Sequence, residues 1–317
     1  MGDKVAYRLQ AIVVDTASGI DFNLTQVMSW GHTPNLDSVL EKGVGALTRT
    51  FAYVRRGEPL LRIVTPQIAT VLGETYPKLK ALEIDADIDN PGIVFYLARM
   101  GPLGNADGAV NIAMTVAKGL LVFNQIRVND GQGPAMAVLD VHAAYDGTHA
   151  PIVIEADVAL DVTTPTATEV FEIGPAQING TTLEGMGTLT IDGGNRVEKL
   201  WGDGSVFPEE IYHVDHNPTV NAGSAFIDIL ATLGISGAAI DVNDATFFLR
   251  MCAKNGTRVD DDGSTHISFT IDDGIALPMP SDFAADPPIL NCDVQVQPTD
   301  DEVNDVIATS VTADIDI

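Results

Sequence analysis

The sequence has few of the residues that mark several common protein classes. Cysteine occurs only twice, as Cys252 and Cys292, which is too few for a disulfide framework. Both lie in apolar runs, and the sequence leaves open whether they form one bridge or two buried thiols. No apolar run approaches the roughly 18 residues of a membrane span. The opening stretch "MGDKVAYRL" lacks the apolar core of a signal peptide, so we expect a protein made in the cytoplasm.

Basic residues are also scarce. Lys and Arg number 17 against 44 Asp and Glu, which gives a net charge of −27. Residues 1–161 hold 18 acids and 12 bases, whereas residues 162–317 hold 26 acids and 5 bases. Such a surface repels nucleic acids and anionic lipids, which argues against a nucleic-acid-binding or membrane-binding protein. A high Asp content with little Lys also favours a host that lives in high salt.

Motifs for catalysis are absent from the sequence. It contains no "GxSxG" elbow, and its Gly-containing stretches "GQGP" and "GMGTLTIDGG" fail the dinucleotide and phosphate-loop patterns. A triad assembled from distant residues stays open, because triads are defined by geometry. The six histidines show no pairing with a nucleophile in the sequence: His32, His142, His149, His213, His216 and His266. We therefore predict no enzymatic activity and no cofactor.

Two short segments contain residue types that bind metals. In "YHVDHN", alternation along a strand predicts that His213 and Asp215 share one face and that His216 points away. One such pair is too little for a closed metal site. The acidic run "DDDG" at 260–263 lacks the alternating ligands of a calcium loop and is typical of a hairpin turn. Neither segment predicts a metal site.

The chain repeats itself. "IVFYLARMGPLGNADG" at 93–108 is similar to "ATFFLRMCAKNGTRVDDDG" at 245–263. Three further matches follow in the same order at nearly the same separation: Gly119 with Gly274, Pro134 with Pro288, and 145–160 with 299–314. This order predicts an internal duplication. The polar stretch "DVTTPTAT" at 161–168 is the expected junction, so we predict domains at 1–162 and 163–317.

Most segments of both halves have strand composition. Runs such as "YRLQAIVV", "VNIAMTV" and "AVLDVHAAY" are rich in β-branched residues and are separated by Gly, Pro, Asn and Asp. Helix signals occur at 65–73, with Thr65 as cap, and at 221–234, with Asn221 or Ser224 as cap. The predicted fold is mainly β, with two tandem antiparallel β-sandwich or β-barrel domains, each flanked by one short α-helix.

Two segments of the first half are candidates for contacts between subunits. In 30–50, Leu36, Val39 and Leu40 have the spacing of a short helical face inside a long polar segment. Such a loop either docks on another copy or is an ordinary surface loop. "YVRRGEPLLR" at 53–62 concentrates Arg55, Arg56 and Arg62. It is either a solvated hairpin tip or a salt-bridging contact with the acidic surface of a neighbouring copy. Trp30 and Trp201 are expected to be core or interface anchors.

The organisation of the chain resembles that of the tail-tube proteins of long-tailed viruses. The resemblance is carried by "FNLTQVMSWGHTPNLDSVLEKGVGALTRTFAYV" at 22–54, by the short helix signal after it, and by "FEIGPAQINGTTLEGMGTLTI" at 171–191. In that family a long loop splits a strand pair and stacks on the next ring. The sheets of six domains join into an inner β-barrel, and two-domain chains form trimeric rings.

The resemblance implies a structural virion protein located in the tail. Its expected partners are copies of itself, other tail proteins, and double-stranded DNA that passes through without specific binding, helped by an acidic lumen. One alternative is another virion ring or decoration protein, from the distal tail or the capsid. A pair of carbohydrate-binding β-sandwiches is the other, but these usually expose a row of Trp or Tyr, and no such row is visible among 2 Trp and 6 Tyr.

Overall fold

A computed structural model describes residues 6–41, 51–73, 79–87, 90–100, 106–160, 170–224, 232–234, 239–253, 257–279, 292–299 and 306–317. The first half contributes one helical turn, α1 (Ile68–Val71), and twelve strands: β1 Ala6–Asp15, β2 Asp21–Leu24, β3 Ser29–Thr33, β4 Leu36–Glu41, β5 Phe51–Gly57, β6 Leu60–Thr65, β7 Ala81–Asp85, β8 Gly92–Met100, β9 Ala106–Val116, β10 Lys118–Asn129, β11 Met136–Ala143 and β12 Val153–Val158.

The second half contributes another twelve described strands: β13 Phe171–Ile178, β14 Thr181–Leu183, β15 Met186–Asp192, β16 Asn195–Leu200, β17 Glu210–His216, β18 Thr219–Ser224, β19 Ile240–Val242, β20 Ala245–Met251, β21 His266–Ile271, β22 Gly274–Pro278, β23 Cys292–Pro298 and β24 Ala308–Ala313. The mainly β, antiparallel character predicted from composition is confirmed. Runs such as "VNIAMTV" and "AVLDVHAAY" lie largely within β9 and β11.

The described strands form one central sheet, two outer sheets and two separate two-stranded ribbons. The central sheet has the order β19-β22-β23-β18-β15-β10-β11-β6-β3, with β7 also paired to β10. The outer sheets have the orders β12-β9-β8-β1-β2 and β14-β13-β20-β21-β24. Within the described residues, no pairing closes a sheet into a barrel, so the sheets are open layers.

The hydrophobic core is continuous across these layers. It contains Phe95 from one outer sheet, Phe123 from the central sheet and Phe247 from the other outer sheet, all without solvent exposure. Trp30 packs on Phe95 with the ring centroids 6.0 Å apart, which confirms its expected role as a core anchor. Alternation along the strands explains this arrangement, because every second side chain points to the core.

The central sheet crosses the predicted domain boundary at 162/163. Strands β10 and β15, one from each half, pair over five positions that include Ile126 with Ile191 and Val128 with Leu189. All four of these side chains are buried. The junction predicted at 161–168 lies outside the described residues. The two halves are thus joined by a strand pairing whose side chains contribute to one core.

Two long hairpins extend beyond the central sheet. In the first, β3 pairs with β6 in the sheet, and β4 pairs with β5 as a separate ribbon. In the second, β15 pairs with β18 in the sheet, and β16 pairs with β17 as a separate ribbon. We call β4–β5 the first ribbon and β16–β17 the second ribbon.

The described residues do not show the two predicted flanking helices. The signal at 65–73 corresponds to a single turn with Gln67 at the cap position, whereas Thr65 ends β6. Asn221 lies inside β18 rather than at a helix cap, because its backbone pairs with both neighbouring strands. Residues 225–231 of the second signal lie outside the described residues.

The short helical face predicted for Leu36, Val39 and Leu40 is wrong. These residues form β4, in which Val39 pairs with Tyr53 and Leu40 pairs with Ala52. Cross-strand hydrogen bonding outweighs the helical spacing of three apolar residues. The rest of that predicted segment, 42–50, lies outside the described residues.

Candidate assembly surface

Several described side chains of the first ribbon are exposed. Leu36 and Tyr53 retain 51% and 52% of their exposure, and Val54 retains 39%. Their neighbours Asp37 and Ser38 are also exposed. An isolated two-stranded ribbon is only marginally stable by itself in water. This ribbon is therefore a surface that a partner could cover.

The base of the first ribbon is a fixed break in the hairpin. Asn35 adopts a left-handed backbone conformation, with φ of 44°, which Asn tolerates better than most residues. Its side-chain amide donates to the carbonyl oxygen of Glu58 at 3.0 Å. Pro34 and Pro59 flank this contact and have no N–H to continue the ladder. The strands therefore leave the central sheet at a defined position.

The second ribbon leaves the sheet at a similar break but is held down. Gly194 has φ of +57° and donates its N–H to Asp192 Oδ1 at 2.8 Å. The side-chain amide of Asn195 donates to the carbonyl oxygens of Leu79 at 2.7 Å and Phe123 at 2.6 Å. These bonds satisfy two backbone acceptors of the underlying chain and fix the direction of the ribbon.

Beyond this anchor, the second ribbon covers part of the central sheet. Leu120 and Val122 of β10 are 6% and 5% exposed and pack with Ile211 of β17. At the margin of this contact, Lys118 Nζ lies 2.6 Å from Glu210 Oε1. The second ribbon thus makes a dry apolar contact with a polar margin.

The segment at the end of the second ribbon contacts the base of the first ribbon. The N–H of Gly57 donates to the carbonyl oxygen of Val206 at 2.8 Å. The Phe207 ring and the Leu36 side chain lie over Gly57, so close that a Cβ there would fall within 3.0 Å of both. Leu36 is therefore partly engaged within its own chain.

Charged groups reinforce this contact. Lys199 Nζ lies 2.9 Å from Glu58 Oε2. The Arg56 guanidinium lies 4.6 Å from the centroid of the Trp201 ring, a cation–π distance. Trp201 therefore anchors a contact between the two hairpins, whereas Arg55 is exposed in β5.

Arg62 is paired inside the chain. Its Nε and Nη2 donate to the two carboxylate oxygens of Asp140 at 2.7 and 2.8 Å, and Asn124 donates to the same carboxylate at 2.9 Å. The hydrogen bond to Asp140 raises the pKa of Arg62. The prediction of a hairpin tip at 53–62 is wrong, because β5 pairs with β4 and β6 pairs with β3 and β11.

The face of the central sheet that points away from the core is mostly polar. We call it the open face. On it, Gln295 donates to Asn221 at 3.0 Å and Gln297 donates to Gln295 at 2.7 Å. The charged side chains that alternation places on this face of the described strands are Arg62, Lys118, Arg127, Glu83, Asp85, Asp140, Asp192, Asp241 and Asp293. In the described strands acids therefore outnumber bases on the open face.

No protein-family model matches the chain, and no curated protein is significantly similar to it. Among the described residues, no helix is long and apolar enough to cross a membrane. The described side chains also contain no group of three or more His, Cys, Asp or Glu that could hold a metal ion.

The predicted orientation of the histidines in "YHVDHN" is wrong. The rings of His213 and His216 are neighbours, with centroids 6.2 Å apart. The register of β16–β17 shifts between Asp215 and His213, and such a bulge reverses the alternation on one side of it. His213 Nε2 lies 2.8 Å from the side-chain oxygen of Asn195, so this histidine supports the anchor of the second ribbon.

Of the two cysteines, Cys252 is a buried free thiol. Burial, together with a hydrogen bond to Glu172, raises the pKa of Cys252 to about 11. A thiol with so high a pKa is a poor nucleophile at neutral pH. The side chain of Cys292 lies outside the described residues. The run "DDDG" contains a turn, in which the N–H of Gly263 donates to the carbonyl oxygen of Asp260 at 3.0 Å.

His142 gives this surface an expected pH dependence. Burial is the main cause that lowers the pKa of His142 from 6.5 to about 4. The positive charges of Lys199 and, to a smaller extent, Arg62 also lower this pKa, whereas the carboxylates of Asp140 and Glu58 raise it. The Nδ1 atom is buried without a hydrogen-bond partner in the described structure. Because the folded state disfavours the proton, stability is full above about pH 6.5 and is lost as the pH falls toward 4. The expected loss is up to about 3 kcal/mol.

Urea unfolding between pH 7 and 4 would measure this loss in the wild-type protein and in His142→Gln. The variant keeps a polar side chain but removes the titration, so its stability should fall less steeply with acidification. Carboxylates titrate in both proteins, and their contribution cancels in the difference. Identical pH profiles for the two proteins would show that His142 does not contribute.

Proposed function

We propose that the chain is a structural subunit whose copies join into trimeric, pseudo-hexameric rings, which stack into a hollow tail tube for genome passage. The observation that carries the proposal is the pairing of β10 with β15. It extends the sheet of one half into the sheet of the other through five backbone pairs. A ring needs the same kind of joint between chains.

The strand orders support two structurally equivalent halves. In one outer sheet β8 lies between β1 and β9, and in the other β20 lies between β13 and β21. Phe95 pairs with Ile12 and Met114, whereas Phe247 pairs with Ala176 and Phe269. The two sheets thus have the same order of equivalent strands, and the repeated phrase of the sequence occupies the same strand in both.

The hairpins support the same equivalence residue by residue. At the end of β3, Thr33 pairs with Leu60. At the end of β15, Asp192 pairs with Thr219. Both residues of the second pair lie 159 positions after those of the first (192 − 33 and 219 − 60). The ribbons keep this separation. The register shift beside Arg55 in β5 recurs beside Val214 in β17. Shared bulges are structural features rather than accidents of sequence.

The same equivalence indicates how chains would join. The counterpart of β15 is β3, which pairs only with β6 among the described strands. The counterpart of β10 is β22, whose Gly274 matches Gly119 in its pairing with both neighbours. We infer that β3 of one copy adds to the end of the central sheet at which β19 and β22 lie in the next copy. Head-to-tail joints close into rings when the rotation from one copy to the next closes, and pairing removes an exposed strand edge.

The open face suits passage of DNA without binding. Duplex DNA is held chiefly through phosphate contacts with Lys and Arg. On the described open face Arg62 is paired with Asp140 and Lys118 is paired with Glu210. The amides of Asn221, Gln295 and Gln297 bond to one another. A lining with more acids than bases and with internally satisfied amides offers DNA little attraction.

Negative-stain electron microscopy and mass photometry at low and molar salt test the proposal. We expect hollow rings with threefold or pseudo-sixfold averages, the mass of three chains, and tubes where rings stack. Molar salt should favour assembly, because it screens repulsion between chains of net charge −27. Single rings that never stack would favour the distal-tail or decoration alternative. Monomers at every salt concentration would overturn the proposal.

A further inference from the structure

Part of the central sheet is covered in the first half, whereas the corresponding part of the second half has no cover among the described residues. On β10, Leu120 and Val122 are buried beneath the second ribbon, where they pack with Ile211. At the corresponding positions of β22 stand Ile275 and Leu277, which keep partial exposure. They belong to none of the hydrophobic clusters of the described residues.

The margin of this area shows the same difference. The N–H of Ala144 donates to the carbonyl oxygen of Lys118, and the N–H of Thr299 donates to that of Asp273. The two residues therefore occupy equivalent positions beside β10 and β22. Ala144 is 2% exposed beneath the second ribbon, whereas Thr299 is exposed. The described chain supplies no cover for the area around Ile275 and Leu277.

The first ribbon has the dimensions needed to cover the area around Ile275 and Leu277. It matches the second ribbon at a constant separation of 159 residues, as Leu36 with Asn195 and Tyr53 with Tyr212 show. Its described residues 36–38 and 53–56 are exposed. It cannot cover Ile275 in its own chain as the second ribbon covers Leu120, because its strands continue from β3 and β6 at the far end of the central sheet.

We propose that the first ribbon of one copy lies across β22 of a second copy and covers Ile275 and Leu277. The proposal rests on the ring assembly above and specifies its contact. Each joint would consist of a strand pairing and a ribbon that lies over the neighbouring sheet. Within the chain, the second ribbon lies over β10 in the same way. In this arrangement Ser38 faces β22 as Val197 faces β10.

Charge is complementary across this contact. The first ribbon carries the exposed Arg55 and Arg56. The turn before β22 carries Asp272 and Asp273, both exposed, and β19 beside it carries the exposed Asp241. Opposite charges at the margin of an apolar contact favour the correct pairing and speed association. The uneven charge of the two halves then has a role in assembly, because the more basic half contacts the acidic half of its neighbour.

Cysteine cross-linking between two singly substituted chains tests the contact. All variants carry Cys292→Ser, and the buried thiol of Cys252 stays in place. A Ser38→Cys chain is mixed with an Ile275→Cys chain under ring-forming salt and treated with a short bismaleimide. We expect a cross-linked pair of chains, at least ten times more abundant than with Asp37→Cys in place of Ser38→Cys. Asp37 is the neighbouring residue, on the opposite face of the strand.

A single chain that carries both Val197→Cys and Leu120→Cys is the reference for this geometry. Its two cysteines should cross-link within that chain. Electron microscopy of the same samples separates the two proposals. Rings with the Ser38–Ile275 cross-link support the contact. Rings in which that cross-link is no stronger than the Asp37 control overturn the contact and leave the ring intact. Absence of rings overturns the proposed function, and the contact with it.

Discussion

Gly194→Ala is expected to lower the free energy of unfolding by about 3 kcal/mol or more. The residue has φ of +57°, and an added Cβ would overlap the carbonyl oxygen of Asn217 across the hairpin. The left-handed conformation costs an L-residue about 1–2 kcal/mol. The overlap with backbone adds to this cost, because a carbonyl within a strand pair cannot move aside like a flexible side chain. Urea denaturation followed by circular dichroism measures the change.

Gly204→Ala is the matched control for this substitution. Gly204 also has a positive φ, of +82°, but nothing lies within 4 Å of an added Cβ. Only the conformational cost of about 1 kcal/mol should remain. Because Gly194 directs the second ribbon over the sheet, its variant should also expose Leu120 and Val122 and increase binding of a hydrophobic dye. Equal destabilisation by the two substitutions would contradict the role assigned to Gly194.

Val122→Asp and Leu277→Asp are expected to have different consequences, although the proposed duplication matches the two positions. Val122 is buried beneath the second ribbon. An unpaired carboxylate there should cost about 3–5 kcal/mol and leave much of the protein unfolded or with its ribbon detached. Leu277 is partly exposed, so its replacement should cost about 1 kcal/mol or less and leave a folded monomer.

Leu277→Asp should weaken the assembly of the chains into rings. A carboxylate beneath the incoming ribbon would lose its water, so rings should need at least tenfold more protein to form. Thermal unfolding and mass photometry on the same samples separate the two effects. Leu277→Lys, which would add repulsion with Arg55 and Arg56, should be more harmful than Leu277→Asp. Normal assembly of both Leu277 variants would show that β22 is not part of a joint.

The sequence predicted the strands well, because they alternate buried and exposed residues and are punctuated by Gly, Pro and Asn. Strand β1, for example, buries Ile12 and Val14 and leaves Tyr7 exposed. The matched residues Phe95 and Phe247 each lie on the middle one of three adjacent strands in an outer sheet. Local composition could not reveal that β10 and β15 join the halves. That pairing depends on which strand edges of the two halves are left without a partner within their own half.

The failed predictions have a common physical origin. Leu36, Val39 and Leu40 have helical spacing, but their backbone bonds are supplied by β5, a partner distant in sequence. Likewise, Asn221 reads as a cap until both sides of β18 are seen to be paired. The side-chain orientations of His213 and His216 changed because of a bulge, which periodicity alone does not reveal. Tertiary pairing overrode the local signal in all three cases.

The pairing of β10 with β15 also has a consequence for dilution. This joint lies within one polypeptide, so its two strands meet at an effective concentration set by the linking chain, in the millimolar range for short flexible links, whatever the amount of protein in solution. A joint between copies is bimolecular and obeys mass action. Dilution should therefore break the joints between copies and leave the pairing of β10 with β15 in place. The species released should always be one whole chain with its central sheet intact.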